Sequence, residues 1–110
     1  MTRKVNHCVF DNIAQDEKQT IFKLTGIVNV LVENTIFNDS PAKTSFKLYG
    51  AKNAISNCCI NDCTPPKLDN GAKSQNLLFV SPNFEKKSYQ LSKKSSLKAK
   101  GSDGGNIGLR

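Results

Sequence analysis

Four cysteines, one histidine, a set of paired Asp/Asn residues and two lysine-bearing repeats are the features of this chain whose residue types could do chemistry. Zinc sites use paired C-x-x-C or C-x-x-H elements, whereas Cys58, Cys59 and Cys63 form one C-C-x-x-x-C cluster, Cys8 is distant and His7 stands alone. Asp11, Asn38, Asp39, Asn61 and Asp62 offer hard oxygen donors of the kind Ca²⁺ takes. They recur at equivalent places in a repeat, where Asn and Asp also serve as bend formers, and the bend is the simpler account. Ca²⁺ is thus the one metal the donors suit, and no cofactor is expected. Lys23 and Lys47 hold the same place in two FKL segments, with Tyr49 and Lys52 following the second. That arrangement makes either a basic strip or plain solvated lysines on a strand. No G-x-S-x-G, H-E-x-x-H, phosphate-loop or dinucleotide fingerprint occurs, so no catalytic residue is expected.

The formal net charge of +7 over 110 residues favours polyanionic partners such as acidic polysaccharide, nucleic acid or an anionic membrane surface. Much of the excess lies in Lys86, Lys87, Lys93, Lys94, Lys98 and Lys100, a solvated stretch without a helix-turn-helix, zinc-finger or RNP-like pattern beside it. Nucleic acid is therefore not expected. Nor is a membrane, since no apolar run approaches the roughly 20 residues a spanning helix needs, and MTRKVNH carries no apolar signal core. Acidic polysaccharide is left as the partner class.

The elements that must position these residues follow from internal repetition. FKLTGIVNV at 22–30 returns as FKLYGAKNA at 46–54, and VENTIFNDS at 32–40 is echoed by VNHCVFDNI at 5–13 and ISNCCINDC at 55–63. Repeats of this length imply stacked units that share one core. Within each copy apolar residues alternate with polar ones at a period of two, which predicts short strands, with Gly26, Gly50 and Asn34 at bends that need positive φ. Stacking copies in register would set like residues about 4.8 Å apart. Phe10, Phe37 and Ile60 would then form one interior stack and Leu24 over Leu48 another. Cys8, Thr35 and Cys58 share a small inward column, the two thiols being two layers apart and beyond disulfide reach. Val9, Ile36 and Cys59 face outward and need a cover, best supplied by the C-terminal Leu77, Leu78, Phe79, Phe84 and Tyr89, the alternative being another protein or domain. TPPKLDNGAKSQ at 64–75 reads as an exposed loop.

The pattern N-V-x-[VI]-x-N-[CT]-x-F-x-N, present as Asn29, Val30, Val32, Asn34, Thr35, Phe37 and Asn38, resembles the coils of right-handed parallel β-helix proteins of the pectate-lyase-like superfamily. The tail LLFVSPNF at 77–84, YQL at 89–91 and GSDGGNIG at 101–108 is similar to the endings of secreted bacterial β-helix proteins, with Ser81 standing where Asp is usual. The resemblance implies an all-β chain of about three coils, 5–26, 27–50 and 51–80, with a capping tail over 81–110. It implies bend asparagines, Asn34 and Asn57, stacked as a ladder inside the coil, with His7 departing from that column. It also makes Lys23, Lys47, Tyr49 and Lys52 candidates for glycan contact, because lyases of this fold hold their groove on that strand. Such lyases use Lys or Arg as base, and here Arg3 and Arg110 are the sole arginines.

The expectation is a non-catalytic C-terminal β-helix domain, the last part of a longer β-helix, in a secreted or surface bacterial protein that handles complex carbohydrate. The alternatives are part of an active polysaccharide lyase and a structural or adhesive stalk. Arg3, Lys4 and Val5 begin almost inside a strand, which predicts that further coils, or a second copy in a homo-oligomer, meet the first coil.

Overall fold

The structure, a computed structural model, describes residues 3–12, 22–24, 29–40, 46–50, 52–65, 67–69, 71–85 and 88–109. Every regular element among them is a strand: β1 Arg3–Asn6, β2 Val9–Asp11, β3 Phe22–Leu24, β4 Val30–Glu33, β5 Ile36–Ser40, β6 Phe46–Tyr49, β7 Ala54–Cys63, β8 Lys67–Asp69 and β9 Lys73–Leu78. All strand pairings are parallel. In one sheet β1, β4, the first half of β7 and β9 lie side by side, while β2 and β5 pair onward to the second half of β7. In the other the order is β3-β6-β8.

The register matches the repeat residue for residue. Val5 pairs with Val32 and Val32 with Ile55; Phe10 pairs with Phe37 and Phe37 with Ile60; Leu24 pairs with Leu48. The expected interior stack forms, with the Phe10 and Phe37 rings 5.2 Å apart and 5° from parallel. Val30, Val32, Phe37, Leu48, Ile55, Cys58 and Ile60 make the buried inner cluster, and burial of each large side chain contributes about 1.5–3 kcal/mol.

Two bends recur among the described residues. His7, Asn34, Asn57 and Asn76 have φ of 53°, 52°, 49° and 54°, and Asn12, Asp39 and Asp62, each five residues after the first three, have φ of 55°, 50° and 51°. Asn, Asp and His are the side chains that best tolerate this left-handed region. The residue after the bend carries the second part of the device. Thr35 Oγ1 donates to the Glu33 carbonyl at 2.8 Å, and the thiols of Cys8 and Cys58 donate to the Asn6 and Ser56 carbonyls at 3.4 and 3.2 Å. Ser40 Oγ does the same to the Asn38 carbonyl. Each satisfies a carbonyl that the bend turns out of the ladder.

Two expectations are corrected. Residues 64–75 are not one loop: they contain β8 and the start of β9, because two parallel neighbours offer enough ladder bonds to override the proline and Asp-Asn-Gly signals. Asn34 and Asn57 do not ladder with one another. Asn34 Nδ2 donates to Asn6 Oδ1 and Ser102 Oγ, and Asn57 Nδ2 to the Lys100 carbonyl. The ladder lies instead on the outer face before the second bend, where Asn61 Nδ2 donates to Asn38 Oδ1 and Asn38 Nδ2 to Asp11 Oδ1, each at 3.0 Å.

The cover over Val9, Ile36 and Cys59 does come from the C-terminal segment, in part from the residues expected, Leu78 and Phe84, and in part from others. Leu91, Leu97 and Ile107, with Leu78 and Phe84, close this outer cluster. Leu77 packs against the inner one, and Phe79 and Tyr89 remain 59% and 46% exposed. The segment bonds to the bend residues His7, Asn34 and Asn57. Gly26 lies outside the described residues.

Candidate functional site

The sheet β3-β6-β8 brings the candidate lysines into one row. Lys23 pairs with Lys47 in register, and Lys47 with Lys67. The side chains of Lys23, Lys47 and Tyr49 lie outside the described residues, so the row is defined by backbone register, with Lys67 exposed. Leu48, the residue beside Lys47, is fully buried, and its register partner Leu68 packs against the inner cluster. Tyr49 pairs with Asp69, whose carbonyl accepts the Gly50 N–H at 3.0 Å. Gly50, at φ 117°, turns the chain out of β6 in a conformation that excludes side chains. Lys52 follows, exposed on the turn into β7.

Strands in a sheet sit about 4.8 Å apart, so the backbone register sets three lysine positions on successive strands at that spacing. A polyanion would complement such a row of like-charged residues. Lys67 is the member sequence reasoning missed. Its signal was there, since P-K-L-D-N-G-A-K at 66–73 echoes F-K-L-Y-G-A-K at 46–52, with one residue inserted before the glycine.

No protein-family model matches the chain, and neither does any curated protein or solved structure compared with it. The functional reading therefore rests on the geometry.

The other chemically suggestive residues are engaged in structure. All four cysteines are free thiols. Burial pushes the Cys58 and Cys59 thiols up to about 12, against which the hydrogen bonds to backbone carbonyls act only partly. Burial likewise raises Cys63, which bonds to backbone at Ser40 and Asn61. A thiol so held is neither nucleophile nor metal ligand at neutral pH. Among the described residues no group of three or more His, Cys, Asp or Glu converges to hold a metal ion. Asp11 accepts from Asn38 and, through Oδ2, from the Tyr89 hydroxyl at 3.0 Å; that contact raises the Tyr89 phenol.

His7 is engaged on both ring nitrogens. Nδ1 lies 2.8 Å from the Gly108 carbonyl and Nε2 2.8 Å from Asp103 Oδ2. The bond from His7, followed by that from the Gly105 N–H, holds the Asp103 carboxyl below its ordinary range. Beside it Ser102 donates its N–H to Asn34 Oδ1 at 2.7 Å and its hydroxyl to Glu33 Oε2 at 3.1 Å, while Glu33 Oε1 lies 3.6 Å from Lys4 Nζ.

Proposed function

We propose that this chain is a right-handed parallel β-helix that acts as a non-catalytic module of a secreted or cell-surface bacterial protein and holds acidic polysaccharide along Lys23, Lys47 and Lys67. The register of the lysine row carries the reading. A linear polyuronate presents one carboxylate per sugar, and a file of ammonium groups on successive strands suits such a ligand better than an isolated cation does. The coil reading is supported by parallel strands recurring at fixed bends, with four strands side by side in one sheet and three in the other. Right-handedness is the rule for crossovers between parallel strands. Lysine in place of arginine favours charge attraction over the rigid two-pronged grip that arginine gives a carboxylate.

Affinity electrophoresis through pectate, alginate and chondroitin sulfate tests the binding. Retention should weaken as salt rises and drop roughly tenfold in affinity when Lys47→Ala and Lys67→Ala are combined, the scale of two surface charge contacts at about 0.7 kcal/mol each. Absence of retention on all three polymers overturns the reading and leaves a stalk. Release of unsaturated product, followed by absorbance, overturns the non-catalytic part.

A further inference from the structure

We propose that residues 97–108 form a pH-sensitive strap, latched over the bends by a histidine that must carry its positive charge to hold it. A neutral imidazole has one N–H and one lone pair. Both partners of His7, the Gly108 carbonyl and the Asp103 carboxylate, are acceptors at 2.8 Å, so both bonds are donated only by the imidazolium. The remaining possibility is a proton on Asp103. It is disfavoured because Asp103 Oδ1 already accepts the Gly105 N–H at 2.9 Å and its carboxyl is held in the ionised form. When the ring loses a proton, one nitrogen turns a lone pair toward an oxygen at hydrogen-bond distance. The His7 side chain is 9% exposed, whereas that of Asp103 is 40% exposed, so the buried Nδ1 side has less access to replacement water than the Asp103 side.

The latch bears on the rest of the strap because its partners are the strap's own anchors. The Gly108 N–H donates to the Asn34 carbonyl at 2.7 Å. A Cβ on Gly108 would stand 2.5 Å from Ile36 Cδ1, so this backbone presses directly on the outer apolar strip. Ile107, next to it, is a fully buried member of that strip. The charged groups around the latch are Asp103 on the strap, Glu33 and Lys4 as an ion pair from β4 and β1, and Lys100, exposed on the strap. Carboxylates and lysines ordinarily change charge outside the interval between pH 5 and 8 in which histidine does. The Asp103 contribution is present above the ordinary carboxylate range and is lost as pH falls through its lowered value.

The test is amide hydrogen exchange and ring ¹⁵N spectroscopy on the full chain from pH 5 to 8.5. At pH 5 both His7 nitrogens should carry protons. As pH rises, protection of the Ser102 and Gly108 amides, corrected for intrinsic exchange, should fall roughly tenfold, the scale of one hydrogen bond to a charged group, while strand amides in β4 and β7 stay protected. His7→Asn places in the first bend the residue found at 34, 57 and 76, and should abolish the pH dependence without loss of the strands. A ring that carries one proton at pH 5 overturns the proposal, as does strap protection that ignores pH, a fall shared equally by β4 and β7, or pH dependence that survives in His7→Asn.

Discussion

Ile36 and Phe37 are consecutive residues of β5, both almost fully buried, yet their burial has different origins. Phe37 lies between Phe10 and Ile60 in register, so its neighbours are copies of itself in adjacent layers. Ile36 lies on the other face of the strand, under Leu97 and Ile107 of a segment without repetition. The inner cluster is built by periodicity and grows with each layer. The outer one depends on single long-range contacts, so it is expected to open locally before the strands do.

That contrast can be broken at its stronger side by Phe37→Ala. The substitution removes a stacked ring from the inner cluster and should cost about 3–5 kcal/mol, read as a lower denaturation midpoint with every strand amide losing protection together. Ile107→Ala should cost less, about 2–3 kcal/mol. Its exchange pattern should differ in kind, with strap amides near Leu97 and Gly108 opening while β4 and β7 hold. Equal loss everywhere would mean that strap and strands form one cooperative unit.

The smallest effect should come from Cys58→Thr, which copies Thr35 into the next layer and keeps a donor for the Ser56 carbonyl; a change within about 1 kcal/mol is expected. The thiols themselves sharpen the comparison further, since Cys58 belongs to the inner cluster and Cys59 to the outer one. Both are raised to about 12, so their burial as neutral groups supports the fold below pH 9. That support is lost between pH 9, where an exposed thiol ionises, and about 12. At pH 8 neither should react with iodoacetamide in the closed state. Cys59 should become labelled first when the strap is loosened by Ile107→Ala, and labelling of Cys58 ahead of it would contradict the layered order of opening.

The repeat made the inner half of this molecule readable. Val5, Val32 and Ile55, or Phe10, Phe37 and Ile60, announce their alignment because each layer states the same residues again. Lys67 and β8 were hidden by Pro65, Pro66 and the turn-forming Asp-Asn-Gly, local signals that the ladder to β6 overrides. The strap was harder for a physical reason. Leu91, Leu97 and Ile107 follow no period, and the pairing of His7 with Asp103 spans 96 residues, so nothing near either residue points to the other. The lysine row was legible as a candidate through Lys23 and Lys47, whereas its third member needed the register.

The bends carry one more consequence. His7 to Asn12, Asn34 to Asp39 and Asn57 to Asp62 are each five residues apart, while the steps from His7 to Asn34, Asn57 and Asn76 are 27, 23 and 19. One part of each repeat is thus a ruler of constant length, and all variation in spacing falls in the other. Substitutions that keep the five-residue spacing would leave these corner residues in place, whereas a one-residue change within it would turn every following side chain to the opposite face of the strand.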